Sequence, residues 1–137
     1  MENNRKTIYL SGPIMDEHAG TARAWRETAK QLLGGRFRLL DPMRRAFVDR
    51  QVDSANEIVE FDLQDVRDAD INYNKASIGT SMEVFYAAHD LGRFVVAFSP
   101  VEYKDCSPWM ARYCTKILGS LEEAAEYVNN HFTEQQV

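Results

Sequence analysis

The chain has 137 residues, a length typical of one domain with one hydrophobic core. Its apolar fraction of 45% and charged fraction of 27% are ordinary for a globular protein, which argues against global disorder. The formal net charge of −5 argues against a broad nucleic-acid-binding face, because such a face needs clustered Lys and Arg to neutralise phosphates.

The two cysteines and the N-terminal segment exclude further classes. Cys106 and Cys114 have no Cys-x-x-Cys partner and no His-rich spacing, so no zinc site is expected. Met1 to Lys6 is polar and lacks the apolar segment of a signal peptide. No apolar run approaches the length of a membrane span. We therefore expect a cytoplasmic protein that binds neither a membrane nor nucleic acid.

Apolar periodicity and turn residues predict alternating strands and helices. In chain order they predict a strand at Thr7–Leu10, a helix at Thr21–Leu33, a strand at Phe37–Leu40, a helix from about Ser54 to Asp68, a weak strand at Asp70–Tyr73, a helix from about Ser81 to Leu91, a strand at Phe94–Phe98, and a helix opened by a capping box at Ser120–Glu123. Val59, Leu63 and Val66 are expected on one apolar face, and Met82 in the core.

This alternation predicts an α/β fold, specifically a flavodoxin- or Rossmann-like sandwich with a mostly parallel sheet of about five strands flanked by helices. One domain is expected over residues 1–137, with flexible tails at 1–6 and 133–137. Ligands in such sheets bind outside the carboxyl ends of the strands. That places Ser11-Gly12-Pro13 and Ser77-Ile78-Gly79-Thr80 at the candidate site.

Glu83 is expected in the first turn of the third helix, and two interpretations compete. Thr80-Ser81-Met82-Glu83 matches the S/T-x-x-E capping box, so Glu83 could simply reach back to the cap, and pattern alone favours this. The catalytic interpretation is that a helix N-terminus favours an ionised carboxylate, the form required to attack an anomeric carbon.

Three other positions also have two interpretations each. Asp62 shares a helical stripe with Ile58 and Val66, so it is either a helix-surface acid or a cleft carboxylate that binds a leaving base or sugar hydroxyl, or donates a proton. Tyr9 is either a core ring or a site hydroxyl. Serines beside glycines, such as Ser11, either hold an anion or simply form a turn.

Taken in order, these segments resemble the nucleoside 2-deoxyribosyltransferase family. Ile8–Ile14 is similar to the family's opening strand and loop, Glu57–Leu63 to its acidic second helix, and Asp68–Asp70 to the entry of its third strand. Gly79–Val84 matches the family's G-[TS]-x-x-E signature, and the similarity runs from about Ile8 to Phe98. The ordered set of motifs is more specific than any one of them.

The resemblance implies a retaining enzyme that cleaves N-glycosidic bonds without a metal or organic cofactor. Glu83 would be the nucleophile that attacks C1′ and forms a glycosyl-enzyme intermediate. Asp62 would orient the substrate and assist proton transfer to the base, and Tyr9 would position Glu83. The backbone near Gly12, together with Pro13, would line the base pocket.

The resemblance also implies a small-molecule substrate and a homodimer or larger homo-oligomer. A C-terminal segment would enter the neighbour's site, and Ser107-Pro108-Trp109 is the candidate for it. Transferases of the family pass the deoxyribosyl group to another base, whereas related hydrolases pass it to water and act on 5′-monophosphates. Ser77, before Gly79, stands where the hydrolases have a phosphate-binding serine, and Ser11 and Ser81 add hydroxyls nearby.

The sequence departs from the family between Asp70 and Gly79, where it is two or three residues shorter. The third strand is therefore expected to be reduced to Ile71–Asn74, which would displace the turn before Glu83. A non-catalytic nucleotide-binding module is the rival that this departure favours. An unrelated flavodoxin-like domain is the third possibility, and it predicts Glu83 and Asp62 well over about 10 Å apart.

Overall fold

The computed structural model describes residues 5–12, 19–44, 55–75, 78–99 and 108–132, and in this part of the chain five parallel strands form one sheet. The strands are β1 (Thr7–Ser11), β2 (Arg38–Leu40), β3 (Ile71–Lys75), β4 (Phe94–Phe98) and β5 (Lys116–Leu118). Their order in the sheet is β2-β1-β3-β4-β5. The predicted α/β class and the predicted sheet of about five parallel strands are confirmed.

The described residues form five helices that connect and follow the strands: α1 (Ala19–Leu33), α2 (Ala55–Asp68), α3 (Ile78–Phe85), α4 (Pro108–Tyr113) and α5 (Leu121–His131). A 3₁₀ turn follows β2 at Pro42–Arg44, and α3 continues as one π-helical turn at Tyr86–Asp90. Gly92, at a φ of 64°, ends that turn in the left-handed conformation that glycine adopts readily. Ser120 is the N-cap of α5 as predicted, since its hydroxyl accepts the Glu123 N–H at 3.1 Å.

The helices cover the two faces of the sheet in separate layers. Successive side chains of a strand point to opposite faces, so Ile8 and Leu10 of β1 pack with α1 and α5. Tyr9 faces the other layer, where residues of α2, α3 and α4 pack over β1 and β4. At the amino end of β1, the Lys6 carbonyl accepts the Arg38 N–H of β2 at 2.9 Å. Among the described residues, no helix is long and apolar enough to cross a membrane.

The third strand is longer than the sequence predicts. β3 runs five residues from Ile71 to Lys75 and is paired along its length, with β1 on one side and β4 on the other. Its residues Ile71 to Asn74 are all buried. The strand is therefore one residue longer than the predicted Ile71–Asn74. The polar residues that weakened the prediction are buried because the two neighbouring strands satisfy the β3 backbone and helices cover both faces.

Other differences follow from short elements and from helix ends. β5 has three residues and α4 has six, too few for a recognisable period, so both were missed along with the 3₁₀ turn. Val59 and Met82 are 52% and 76% exposed, contrary to the expected burial. The buried residues of α2 lie in its second half, so Val59, near its start, has no sheet beneath it.

Candidate active site

The candidate site lies where the chain reverses the direction in which it adds strands to the sheet. β2 lies on one side of β1 and β3 on the other, which creates a crevice between β1 and β3 at their carboxyl ends. Tyr9 and Ser11 of β1 pair in register with Asn72 and Asn74 of β3, so these four side chains point to the same face. All four are buried. The face turned toward α3 is therefore polar at this end of the sheet.

Glu83 contacts β1 through both of its carboxylate oxygens. The Tyr9 hydroxyl donates to Oε2 at 2.8 Å, and the Ser11 hydroxyl donates to Oε1 at 2.5 Å. The capping-box interpretation is wrong, because α3 begins at Ile78 and Glu83 lies in its second turn. Two hydroxyl donors from one strand fix the carboxylate at the crevice.

Burial dominates the electrostatics of Glu83. Loss of solvation and the Asp62 charge raise the pKa of Glu83, the Ser11 and Tyr9 hydrogen bonds and the Arg26 charge lower it, and the net effect is a pKa of about 7. Glu83 lies in the second turn of α3 and not in the first as predicted, so the helix N-terminus has less effect on its carboxylate than expected. Burial and the Glu83 charge also raise the pKa of the Tyr9 phenol well above its usual value, so Tyr9 remains a hydrogen-bond donor at neutral pH.

Asp62 lies close enough for its charge to act on both Glu83 and Tyr9. It raises the pKa of each group. Asp62 is partly buried, one turn before the fully buried Val66. The structure thus brings together the three predicted catalytic residues, Glu83, Asp62 and Tyr9, with Ser11 beside them.

An ion pair that the sequence did not predict holds α2 in place. Arg44 of the 3₁₀ turn donates two hydrogen bonds to Asp65, at 2.8 Å and 3.0 Å. Asp65 is buried and lies one turn after Asp62, so this two-pronged contact fixes the part of α2 that carries Asp62. Sequence analysis missed Asp65, although its position next to Val66 on α2 indicated the buried face.

Two amides on β3 complete the polar face. Asn74 Nδ2 donates to Asn72 Oδ1 and to the Val96 carbonyl, both at 3.1 Å. Asn72 Nδ2 and Asn74 Oδ1 have no hydrogen-bond partner among the described residues, although both atoms are buried. Since an unpaired buried polar group is costly, these atoms are available to a hydroxyl or to an ordered water.

The remaining predicted residues lie in different parts of the chain. Gly12 follows β1, and its carbonyl accepts a hydrogen bond from Arg26 at 3.0 Å. The Ser81 hydroxyl contacts Met110 Sδ of α4 at 3.6 Å. Gly79 is the second residue of α3. Pro13, Ser77 and Ser107 lie outside the described residues.

A tight contact between Gly12 and Trp25 provides a test of where the end of β1 lies. A Cβ added to Gly12 would lie 2.5 Å from Trp25 Cζ2, closer than real Cβ contacts. The Trp25 ring has little room to move, since it packs edge-on against Phe98 at 5.4 Å, and the Arg26 guanidinium lies 4.5 Å from its centroid.

We expect Gly12→Ala to lower the free energy of unfolding by about 1–3 kcal/mol, because the end of β1 must move away from Trp25. Urea denaturation measures this change. Gly35→Ala is the matched control, since a Cβ there meets nothing within 4 Å. Equal stability of the two variants would show that the end of β1 does not depend on the Gly12–Trp25 contact.

A second concave surface lies on the other side of α3. A cavity of about 400 Å³ opens between α3 and α4, and it is lined by Ser81, Met82, Val84, Phe85, Trp109, Met110 and Tyr113. Met82 and Trp109 at its border are 76% and 65% exposed. Within the described residues, no group of three or more His, Cys, Asp or Glu side chains could hold a metal ion.

Comparison of the sequence with protein-family models and with curated proteins finds no match. Among solved structures, a 2-deoxyribosyltransferase from the psychrotolerant bacterium Bacillus psychrosaccharolyticus matches 96% of this chain and 96% of its own, with a TM-score of 0.69 and 19% identity. The chain has the 2-deoxyribosyltransferase fold. A CMP N-glycosidase from Clostridium botulinum shares this fold over 92% of this chain and 99% of its own, with a TM-score of 0.61 and 13% identity.

Proposed function

We propose that the protein cleaves the N-glycosidic bond of a nucleoside or nucleoside 5′-monophosphate, as a 2-deoxyribosyltransferase that uses Glu83 as its nucleophile. One observation supports this above all others: the Glu83 carboxylate is held by Tyr9 and Ser11 at the strand-end crevice, within reach of the Asp62 charge. The fold shared with a 2-deoxyribosyltransferase and a CMP N-glycosidase supports the same reaction class.

In the proposed first step, a Glu83 carboxylate oxygen attacks C1′ of the sugar. The C1′–N bond breaks, its electron pair passes to the base nitrogen, and a proton is delivered to the base with the help of Asp62. In the second step, a nitrogen of an acceptor base attacks C1′ from the face opposite Glu83, and its proton is removed with the help of Asp62. The ester bond to Glu83 then breaks, the carboxylate is restored, and two displacements give net retention.

The rate should rise with pH through the pKa of Glu83. Only the ionised carboxylate attacks C1′, and burial places the pKa of Glu83 at about 7 in the free protein. We therefore expect kcat/KM to increase from pH 5 to pH 8 with an apparent pKa near 7, since kcat/KM reports the free enzyme. Initial rates of base release in a constant-ionic-strength buffer series measure this profile. A rate that is flat across this range would exclude Glu83 ionisation as the controlling event.

Hydrolysis of a nucleoside 5′-monophosphate is the second candidate. In that reaction water takes the place of the acceptor base in the second step. The fold similarity to the Clostridium botulinum CMP N-glycosidase favours it. A binding module that retains the fold without turnover is the remaining alternative, and the pairing of Glu83 with two hydroxyl donors argues against it, because ligand binding alone requires no nucleophile.

Free-base release, followed by liquid chromatography, distinguishes these functions. The purified protein is incubated with nucleosides and 5′-monophosphates of each base, with and without a second acceptor base. Exchange only when the acceptor is present supports the transferase, and release from monophosphates without it supports the hydrolase. No release from any substrate, while nucleotide binding persists, would contradict both enzymatic proposals and favour the binding module.

The proposal includes assembly into a homodimer or larger homo-oligomer. The exposed Met82 and Trp109 beside the α3–α4 cavity support it, because large apolar side chains are preferentially buried in subunit contacts.

A further inference from the structure

Arg26 is a buried charge that the proposed mechanism does not yet use. It lies in α1 and is 0% exposed. By volume it has the largest fully buried side chain among the described residues. A buried guanidinium has five N–H donors that need acceptors. Its Nε donates to the Leu10 carbonyl at 3.3 Å, its Nη2 donates to the Gly12 carbonyl at 3.0 Å, and its Nε lies 3.7 Å from the Asp41 carboxylate.

These two carbonyls flank Ser11 at the end of β1. The carbonyls of alternate strand residues point to the same edge, and the Lys6 carbonyl on this edge bonds to Arg38 of β2. The pairing of β2 with β1 extends only as far as Tyr9 among the described residues. Beyond Tyr9, therefore, the Arg26 guanidinium takes the place of a neighbouring strand for Leu10 and Gly12.

The residue between the two carbonyls makes the shorter hydrogen bond to Glu83. Ser11 donates to the carboxylate at 2.5 Å, so any movement of the backbone around Ser11 moves that donor. The charge of Arg26 also lowers the pKa of Glu83, opposing the effects of burial and of Asp62. Tyr9 and Ser11 from β1, Asp62 from α2 and Arg26 from α1 thus all act on Glu83.

We propose that Arg26 is a positioning residue for Glu83, which holds the end of β1 so that the Ser11 hydroxyl stays aimed at the carboxylate, and which brings a positive charge to this end of the strand. Asp41 keeps Arg26 in place together with Lys30, whose Nζ lies 2.7 Å from Asp41 Oδ2. The expected change in kcat rests on the proposed function, whereas the expected change in the titration of Glu83 does not.

The test compares Arg26→Met and Arg26→Lys with the wild type. The titration of the Glu83 side chain is followed by ¹³C NMR in protein labelled at Glu, with the Glu83→Gln spectrum assigning the signal. In Arg26→Met the midpoint is expected at higher pH than in the wild type, because the positive charge is lost. In Arg26→Lys it is expected to stay near the wild-type value, since the charge is kept.

Measurements of kcat distinguish the effect of the Arg26 charge from the effect of its hydrogen-bonding geometry. An ammonium group cannot hold both carbonyls as the planar guanidinium does. We therefore expect Arg26→Lys to lower kcat about 10- to 100-fold with little change in KM. Arg23→Met is the matched control, since it removes an exposed arginine from the same helix, and it should keep the wild-type midpoint and kcat.

The inference is overturned if Arg26→Lys retains kcat within twofold and Arg26→Met leaves the Glu83 midpoint unchanged. It is also overturned if kcat falls only in proportion to the folded fraction, which circular dichroism measures. If Arg26→Met does not fold, Arg26→Gln takes its place in the titration, with the same expected shift. A wild type that releases no base contradicts the proposed function, and the Glu83 titration then decides the role of Arg26 alone.

Discussion

Glu83→Gln is expected to lower base release by about four orders of magnitude or more, because the amide cannot attack C1′. The fold should persist, since the Gln side chain has nearly the same size and still accepts one hydroxyl. The measurement is single-turnover base release at pH 8, where the wild-type carboxylate is ionised. Glu126→Gln, at an exposed position of α5, is the control and should keep the wild-type rate. A Gln variant that retains a rate within tenfold of wild type would contradict the assigned nucleophile.

The same substitution has a second consequence that does not depend on catalysis. The pKa of Glu83 is raised from 4.5 to about 7 in the folded protein, so the native state binds this proton more tightly than the unfolded chain. The contribution of Glu83 to stability is therefore fully present below about pH 4.5 and is lost as the pH rises through about 7. Relative to wild type, Glu83→Gln should be more stable at pH 8 than at pH 4.5, by an amount on the order of 3 kcal/mol. Urea denaturation at the two pH values measures this difference.

Asp62→Asn should reduce turnover by about 10²- to 10³-fold, because the amide cannot assist proton transfer to the leaving base. It should also move the acid limb of kcat/KM to lower pH. The Asp62 charge raises the pKa of Glu83, so its removal allows Glu83 to ionise more readily. The pH profiles of the variant and the wild type, measured on the same substrate, test both effects.

Glu60→Gln is the matched control for Asp62→Asn, because Glu60 is an exposed acid on the same helix. It should change neither the rate nor the profile. A loss of soluble protein that accounts for the whole rate decrease in Asp62→Asn would assign Asp62 a structural role instead.

Most of the fold could be predicted from local patterns. The continuous apolar run at Phe94–Phe98 and the apolar stripe of α1 each identify an element by themselves, and their alternation fixes a parallel sheet. β3 was underestimated because Asn72 and Asn74 interrupt its apolar pattern. Their burial depends on β1 and β4 lying on either side, which no local pattern records. β5 and α4 were missed because neither is long enough to show a period.

The candidate site was predictable in its residues but not in its contacts. Glu83, Asp62 and Tyr9 could be identified by resemblance, and the strand-end rule placed Ser11 near them. The capping box led to the wrong interpretation of Glu83, because the sequence does not show that α3 begins at Ile78. Nor does it show that burial raises the pKa of Glu83.

Arg26 shows what sequence reasoning overlooked. It lies three residues before Ala29 and seven before Leu33, both fully buried, so its position on the inner stripe of α1 was visible. The hydrogen-bond acceptors of Arg26 could not be predicted from the sequence. They are the Leu10 and Gly12 carbonyls at the end of β1, and β2 stops before reaching them.

Direct detection of a glycosyl-enzyme tests the central claim most directly. The protein is incubated with 2′-fluoro-2′-deoxynucleosides, whose fluorine slows breakdown of the intermediate by destabilising the oxocarbenium-like transition state, and is then quenched in acid for mass spectrometry. We predict that the intact mass increases by one fluorinated deoxyribosyl group, that the adduct maps to the peptide carrying Glu83, and that Glu83→Gln remains unmodified. An adduct on a different residue, or the same adduct in Glu83→Gln, would contradict the account.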